Sequence, residues 1–348
     1  MIEEARGNLL QADVEAVVNT VNCVGYMGKG IALQFKQAFP ENFKAYQRAC
    51  KADQIQPGRM FVFETGMMVN PKYIINFPTK RHWRGKSRIE DIEAGLVALV
   101  EEVQRLAIRS IAIPPLGCGN GGLDWSDVRP RIEQAMQQLA DTKILLFSPQ
   151  GAPAAKAMPV RTERPSMTPG RALFVKLMQQ YLGLAYRLTL LEIQKLAYFL
   201  QEAGEPLKLR YESGLYGPFA KNLNHVLERI EGHFIRGYGD SQRPDVEIEL
   251  LPRAVEEADA YLRDKTDSLE RLDRVGEAIS GFETPYGMEL LASVHWVARH
   301  RDPAAVEADQ AVRMIHAWND RKQQMFREDH IHVAWRQLEE SGWLSCNP

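Results

Sequence analysis

Nowhere in the 348 residues does an apolar run reach the ~18 residues that a membrane-spanning helix requires, so no span is expected. The opening Met1-Ile-Glu-Glu-Ala offers neither the basic nor the apolar stretch of an export signal, and a cytoplasmic protein is expected. Cysteine is scarce. Cys23, Cys50, Cys118 and Cys346 stand far apart, with no CxxC pair. Neither a disulfide framework nor a metal site is expected from them, and the pattern suits a reducing compartment. The glycine-rich stretches lack the Gly-Lys-Ser/Thr ending of a P-loop and the spacing of GxGxxG, so neither common nucleotide fingerprint is present. Charge of neither sign dominates, the net being −2. Its distribution is uneven: +4 over residues 1–170 (21 Lys and Arg, 17 Asp and Glu) and −6 over 171–348 (22 and 28). The first half suits a polyanionic substrate and the second a basic partner, although a plain solvated surface accounts equally well for imbalances of this size.

The length suffices for two cores, and the hydrophobic (45%) and charged (25%) contents are those of an ordinary globular protein. From Ile2 to about Lys143, short apolar runs alternate with helical spacing. Strands are expected at Val14–Val18, Met60–Phe63, Tyr73–Phe77, Ser110–Ile113 and Ile144–Phe147. Helices are expected from about Gly30 to Phe39, over Ala38–Ala52 after Pro40, over Ile89–Leu106 and over Ser126–Ala140. This alternation predicts an α/β fold, a three-layer α/β/α sandwich around a mostly parallel sheet. Residues 1–150 form this first domain, and a Pro/Ala-rich linker covers 151–170. The stretch 171–348 is a mostly α-helical C-terminal domain. Its helices are expected at Arg171–Leu182, Thr189–Ala203, Pro218–Glu231, Pro252–Leu262, Ser268–Ile279, Pro285–Arg299, Ala304–Ala317 and Asp329–Ser341. Thr189 and Glu192 have the spacing of a capping box. Leu207–Tyr211 and Val246–Leu250 are expected to pair as short strands. The histidines here read as dispersed, with structural or surface roles, and no catalytic constellation is apparent.

Two glycine loops follow strands in the first domain. The first, Asn19-Thr-Val-Asn22-Cys-Val-Gly25-Tyr-Met-Gly28-Lys-Gly30, opens a helix; a helix N-terminus presents unpaired N–H groups that suit a phosphate. The second, Gly117-Cys-Gly119-Asn-Gly121-Gly122, places four glycines among six residues between a strand and a helix. Glycine costs backbone entropy, and a phosphate cradled by main-chain N–H groups compensates for it. A single loop of this kind is as well explained by a tight turn; two together point to a diphosphate held from both sides. Ligands of such sheets sit at the carboxyl ends of strands, where Lys80 follows a strand and a Pro-Thr turn. After it, Arg81, His82, Trp83 and Arg84 form a basic, aromatic segment, candidate contacts for a single-stranded nucleic acid or else an ordinary charged loop.

With these residues in view, the first domain resembles a macrodomain, the ADP-ribose-binding α/β/α family. The likeness rests on Gly7-Asn8-Leu9-Leu10 before the first buried strand, Gly28-Lys-Gly30-Ile-Ala, and Ile113-Pro-Pro-Leu-Gly117-Cys-Gly119. Within that family it is most similar to the DarG antitoxins. The resemblance implies a DNA ADP-ribosyl glycohydrolase that removes from thymidine in single-stranded DNA the ADP-ribose attached by the toxin DarT. It implies no cofactor and no metal. Adenine would lie against Asn8 and Leu9. The diphosphate would lie between the N–H groups of Ile31, Ala32, Leu33 and Gln34 and those of Gly117, Cys118, Gly119, Asn120 and Gly121. Thr20 and Val21 line the same site, while Asn22 and Thr79 orient the distal ribose beside Lys80. Lys80 and Asn22 are the expected catalytic residues, Lys80 matching the essential lysine of the group. Two departures stand out. Asn8 replaces the Asp that many macrodomains use for the adenine amine, and Gly121 replaces an acidic residue of the similar human terminal ADP-ribose glycohydrolase. The second domain resembles the SocA-like antitoxin domain at Leu191-Glu-Ile-Gln194-Lys195-Leu-Ala-Tyr198-Phe199 and Leu215-Tyr216-Gly217-Pro218-Phe219. That likeness implies capture of DarT. The alternatives are a reader that binds ADP-ribose without turnover, and a hydrolase of protein-linked or acyl-ADP-ribose.

Overall fold

The computed structural model describes residues 1–149, 158–184, 187–239 and 243–344 and divides into two compact units, Met1–Glu163 and Arg164–Pro348. Most of the first half of the expected linker, 151–157, and Cys346 lie outside the described residues.

In the first unit the strands are β1 (Ile2–Ala5), β2 (Ala16–Asn22), β3 (Phe61–Glu64), β4 (Tyr73–Lys80), β5 (Ser110–Ile113) and β6 (Lys143–Phe147). They form one sheet in the order β1-β6-β5-β2-β4-β3, with every neighbouring pair parallel except the edge pair β3–β4. The helices are α1 (Gly30–Ala38), α2 (Pro40–Lys51), α3 (Ile89–Arg105) and α4 (Trp125–Met136). Successive strand residues face opposite sides of a sheet, and the core divides accordingly. Ala16, Val18, Ile75 and Phe77 pack with Ile92, Leu96, Val128 and Ile132 of α3 and α4. Val17 and Ile74 pack on the other side with Phe35 and Ala38 of α1. The three-layer α/β/α expectation is met.

The local differences fall where polar residues enter the sheet. β2 starts later than expected and runs on to Asn22, while β4 continues through Pro78 and Thr79 to end at Lys80; no Pro-Thr turn precedes the lysine. The polar residues are tolerated because they satisfy one another. Asn19 Nδ2 donates to Asn76 Oδ1 at 2.9 Å, and Asn76 Nδ2 donates to Asn42 Oδ1 of α2 at 2.8 Å. A buried polar group costs little when paired, so this ladder fixes β2, β4 and α2 together beneath their carboxyl ends.

The second unit holds α5 (Pro169–Leu184), α6 (Leu190–Glu202), β7 (Tyr211–Gly214), β8 (Gly217–Ala220), α7 (Leu223–Ile230), β9 (Ile235–Arg236), β10 (Glu249–Leu250), α8 (Pro252–Leu262), α9 (Thr266–Ile279), α10 (Pro285–Arg299), α11 (Ala308–His316), α12 (Asp320–Met325) and α13 (Glu328–Glu340). The mostly helical expectation holds, and the capping box is present, with Glu192 accepting from the Thr189 N–H at 2.7 Å. The strand pairing is corrected. Tyr211–Gly214 pairs with Gly217–Ala220, and Glu249–Leu250 pairs with Ile235–Arg236. Pro218 therefore sits in a strand rather than opening a helix, which starts only at Leu223. The two segments that carried the second resemblance dock on each other: the buried Lys195 amine donates to Pro218 O at 2.7 Å, and Gln194 exchanges bonds with the Ala220 backbone at 3.3 and 3.1 Å. Burial pushes the Lys195 amine down to about 7. Nor are the histidines all dispersed: His295 and His300 come together with Glu202.

Candidate active site

The carboxyl ends of β2, β4 and β5 carry the residues singled out in the sequence. After β2 the chain makes a loop built on Asn22. Its Oδ1 accepts from the Val24 and Tyr26 N–H groups at 3.0 and 3.3 Å, its Nδ2 donates to Tyr26 O, and the Tyr46 hydroxyl of α2 donates to its backbone carbonyl. The Asn22 amide is thus engaged in shaping the loop that delivers the chain to α1. At the start of that helix, Lys29 occupies the N-cap position without a side-chain hydrogen bond, leaving the first turn, Gly30 to Leu33, without a side-chain cap. Such a terminus favours a negative charge by roughly 0.3–1 kcal/mol at exposed sites.

The second loop approaches from the opposite side. A Cβ on Gly30, which adopts φ +59°, would lie 3.1 Å from Asn120 Nδ2, so the two loops nearly touch. Within the second loop the backbone folds on itself. A Cβ at Gly121 would lie 2.1 Å from Gly117 O and 2.4 Å from Ser87 Oγ, whereas one at Gly119 would meet nothing within 4 Å. A side chain of any kind at position 121 is incompatible with this turn, which accounts for the missing acidic residue there. Cys118 donates to Leu116 O at 3.4 Å, and burial pushes its thiol up to about 11, so it offers no thiolate at neutral pH.

Lys80, the last residue of β4, pairs in register with Asn22 across a bulge in β2 and donates from Nζ to Asn120 O in the second loop. Partial burial lowers its amine below the ordinary lysine value. Thr79 is buried and donates to Val21 O at 3.4 Å, which ties the ends of β4 and β2 together. Thr20 and Val21 lie in the final turns of β2 and Leu9 is buried against the sheet. Asn8 caps a short 3-10 turn, Leu9–Gln11, by accepting from the Leu10 N–H at 3.0 Å, and its Nδ2 is buried without a protein partner. The amide oxygen retains a second lone pair for an adenine amine.

The four candidate DNA contacts divide. Arg81 is committed to α3, its Nη2 lying 3.0 Å from Asp91 Oδ1 and its Nε 3.2 Å from Asp91 Oδ2. His82, Trp83 and Arg84 form an exposed stack, with His82 and Trp83 ring centroids 5.6 Å apart and the Arg84 guanidinium 4.6 Å over the indole. Tyr26 from the first loop joins them, 5.5 Å from Trp83 and inclined by 29°. Tyr26 was missed in the sequence, although an aromatic residue between Gly25 and Gly28 is itself a signal for an exposed platform. Among the described residues no group of metal-ligating side chains adjoins Lys80.

Residues 18–132 match the Macro domain family. The chain is 48% identical over 347 residues to a DNA ADP-ribosyl glycohydrolase of Thermus aquaticus, covering 99% of this chain and 94% of that protein. A DNA ADP-ribosyl transferase-DNA ADP-ribosyl glycohydrolase fusion protein of Thermosipho africanus is 36% identical over 139 residues, which cover 36% of each chain. The solved macrodomain of Mycobacterium tuberculosis DarG is 55% identical, with a TM-score of 0.43; the match covers 43% of this chain and 99% of that one. Likeness to the Thermus protein runs through both units from end to end, and on that ground the chain belongs to the DNA ADP-ribosyl glycohydrolases.

Proposed function

We propose that the first unit releases ADP-ribose from thymidine in single-stranded DNA, with Lys80 as the attacking group. The observation that carries this reading is the position of the Lys80 amine. It stands at the end of β4, held by the Asn120 carbonyl, at the point where the uncapped start of α1 and the second glycine loop converge. The diphosphate bridges Ile31–Gln34 and Gly117–Gly121, adenine lies by Asn8 and Leu9, and the distal ribose reaches Lys80 past Thr20, Val21 and Thr79. Asn22 acts through the loop it shapes. Attack by the neutral amine on the anomeric carbon breaks the bond to the base, which takes up the proton released by the amine. Water then frees the ribose from a Schiff-base-like intermediate. The test is release of free ADP-ribose from thymidine-modified single-stranded DNA, compared at equal concentration with ADP-ribosylated protein. Binding without release supports a reader, and faster release from protein supports the other hydrolase reading.

The His82, Trp83, Arg84 and Tyr26 stack suits the bases that flank the modified one. Base–aromatic stacking contributes ~1–3 kcal/mol per base. Trp83→Ala is expected to raise KM for the modified oligonucleotide by about 10-fold or more, at ~1.4 kcal/mol per decade, with ADP-ribose affinity unchanged. Equal KM values would remove the platform from DNA binding.

The second unit is read as the module that captures DarT. The Thermosipho fusion, which joins a transferase to a glycohydrolase in one chain, supports a working link between the two activities. The excess of acidic residues over 171–348, −6, complements the basic cleft expected of a DNA-modifying toxin. A fragment from residue 164 onward, which has its own apolar core, is expected to inhibit DNA modification by DarT without removing ADP-ribose. Its association rate should fall with added salt. Full toxin activity in the presence of saturating, folded fragment would refute direct neutralisation.

A further inference from the structure

Among the described residues, Glu202, His295 and His300 bring a carboxylate oxygen and two imidazole nitrogens within 4.8 Å of one another. Packing, rather than proximity in sequence, assembles them. Glu202 ends α6, His295 lies near the end of α10, and His300 is the residue that terminates α10. His300 Nε2 lies 3.0 Å from Glu202 Oε2. Tyr198 is one turn before Glu202 on the same face of α6, and its hydroxyl lies 2.7 Å from His295 Nδ1.

Each imidazole is oriented from outside the cluster. The His295 ring donates to the Trp343 backbone carbonyl, and burial keeps the ring neutral, so its other nitrogen retains a lone pair. A backbone carbonyl on the far nitrogen is the arrangement that metal-bound histidines use to fix tautomer and ring plane. His300 is stacked on Trp296 at 4.6 Å and 24°, and the Trp343 ring lies edge-on to His295 at 5.5 Å. The Arg299 charge adjoins the cluster and opposes a cation, and the Glu202 carboxylate offsets it.

We propose that Glu202, His295 and His300 form a zinc site, three protein ligands with a fourth position left for water beside the Tyr198 hydroxyl. Two histidines and a glutamate are an established zinc donor set, and imidazole ligands select transition metals over magnesium or calcium. The ion would bind the end of α6 to the end of α10 and, through the Trp343 carbonyl, to the turn that follows α13. This corrects the expectation of no metal drawn from cysteine spacing. The site belongs to the unit without Lys80 and supplies nothing to glycoside cleavage.

The test uses the full chain, stripped with a chelator and titrated with ZnCl2 against a chromophoric competitor. One zinc per chain is expected, not displaced by millimolar magnesium, with a higher melting temperature when zinc is present. His300 caps the helix and is partly exposed, so His300→Ala should keep its circular dichroism spectrum while zinc affinity falls by at least ~100-fold, more than the 10–100-fold typical of lost outer-shell partners. Glu202→Gln should weaken binding in the same way. Cobalt should give visible absorption bands in the wild type that His300→Ala lacks. Failure of the wild type to retain zinc overturns the proposal. So does an affinity left unchanged by both substitutions, which would assign the ion to other side chains.

Discussion

Lys80→Ala should lower the rate of ADP-ribose release from modified DNA on the order of 10³-fold or more, a loss of ~4 kcal/mol in transition-state stabilisation. Affinity for free ADP-ribose should stay within about tenfold, since the amine adds only one contact to a ligand held mainly by backbone N–H groups. The strand end explains why the effect is confined to chemistry. Lys80 closes β4 and contributes no apolar packing, so its truncation leaves the Asn19–Asn76–Asn42 ladder and the Thr79 bond intact. Lys80→Arg separates two roles for the charge. A guanidinium remains protonated and cannot attack, so an electrostatic role would survive in Lys80→Arg and a nucleophilic one would not. The sign of the pH dependence follows. Partial burial depresses the amine below the ordinary lysine value, which enlarges the neutral fraction at a given pH. Release should therefore rise with pH through that lowered value and then level off. Reduction during turnover should trap ADP-ribose on the wild-type chain and not on Lys80→Ala. Near-normal release by the alanine variant would end the nucleophile role.

What the sequence reveals of this site depends on how local the signal is. The buried strands are legible because residues covered on both faces must be apolar in unbroken runs. Polar residues interrupt those runs, and there the reading stops short. Asn19, Asn22 and Thr79 lie inside strands because each finds a partner on another element, which no window of sequence displays. β1 escaped notice because an edge strand with the burial of Ile2–Ala5 needs no apolar run. The glycine loops and Lys80 were legible from glycine density next to apolar strands. The loss of Arg81 to Asp91 was not, since it depends on how the start of α3 folds back. The Glu202, His295 and His300 cluster lies at the same limit. Two histidines five positions apart share no helical face, and the tertiary contact between α6 and α10 makes them neighbours.

Gly119→Glu should abolish ADP-ribose binding while sparing the fold, and the neighbouring Gly121→Ala should do the reverse in kind. The two positions differ in the space around them rather than in their distance from the ligand. At Gly119 an added Cβ meets nothing within 4 Å, and the residue does not adopt positive φ, so the loop accepts a side chain. A carboxylate there enters the gap between the second loop and the start of α1, where the diphosphate is expected. Like charges a few ångströms apart repel by ~4 kcal/mol at an effective dielectric of 20, before any steric exclusion is counted. Calorimetry should show no binding at concentrations that saturate the wild type, a loss of at least about 1000-fold, ~4 kcal/mol, with circular dichroism and melting temperature unchanged. At Gly121 the Cβ would lie 2.1 Å from Gly117 O, an atom of the backbone that cannot rotate away. The turn must open to admit it, and the Ser87 N–H bond to Gly121 O at 3.0 Å opens with it. Gly121→Ala should therefore lower the melting temperature together with affinity, by ~1–3 kcal/mol of strain. Wild-type affinity in Gly119→Glu would remove the second loop from the phosphate site. An unchanged melting temperature in Gly121→Ala would mean that the loop relaxes without loss, so the backbone contact that excludes side chains there is not rigid.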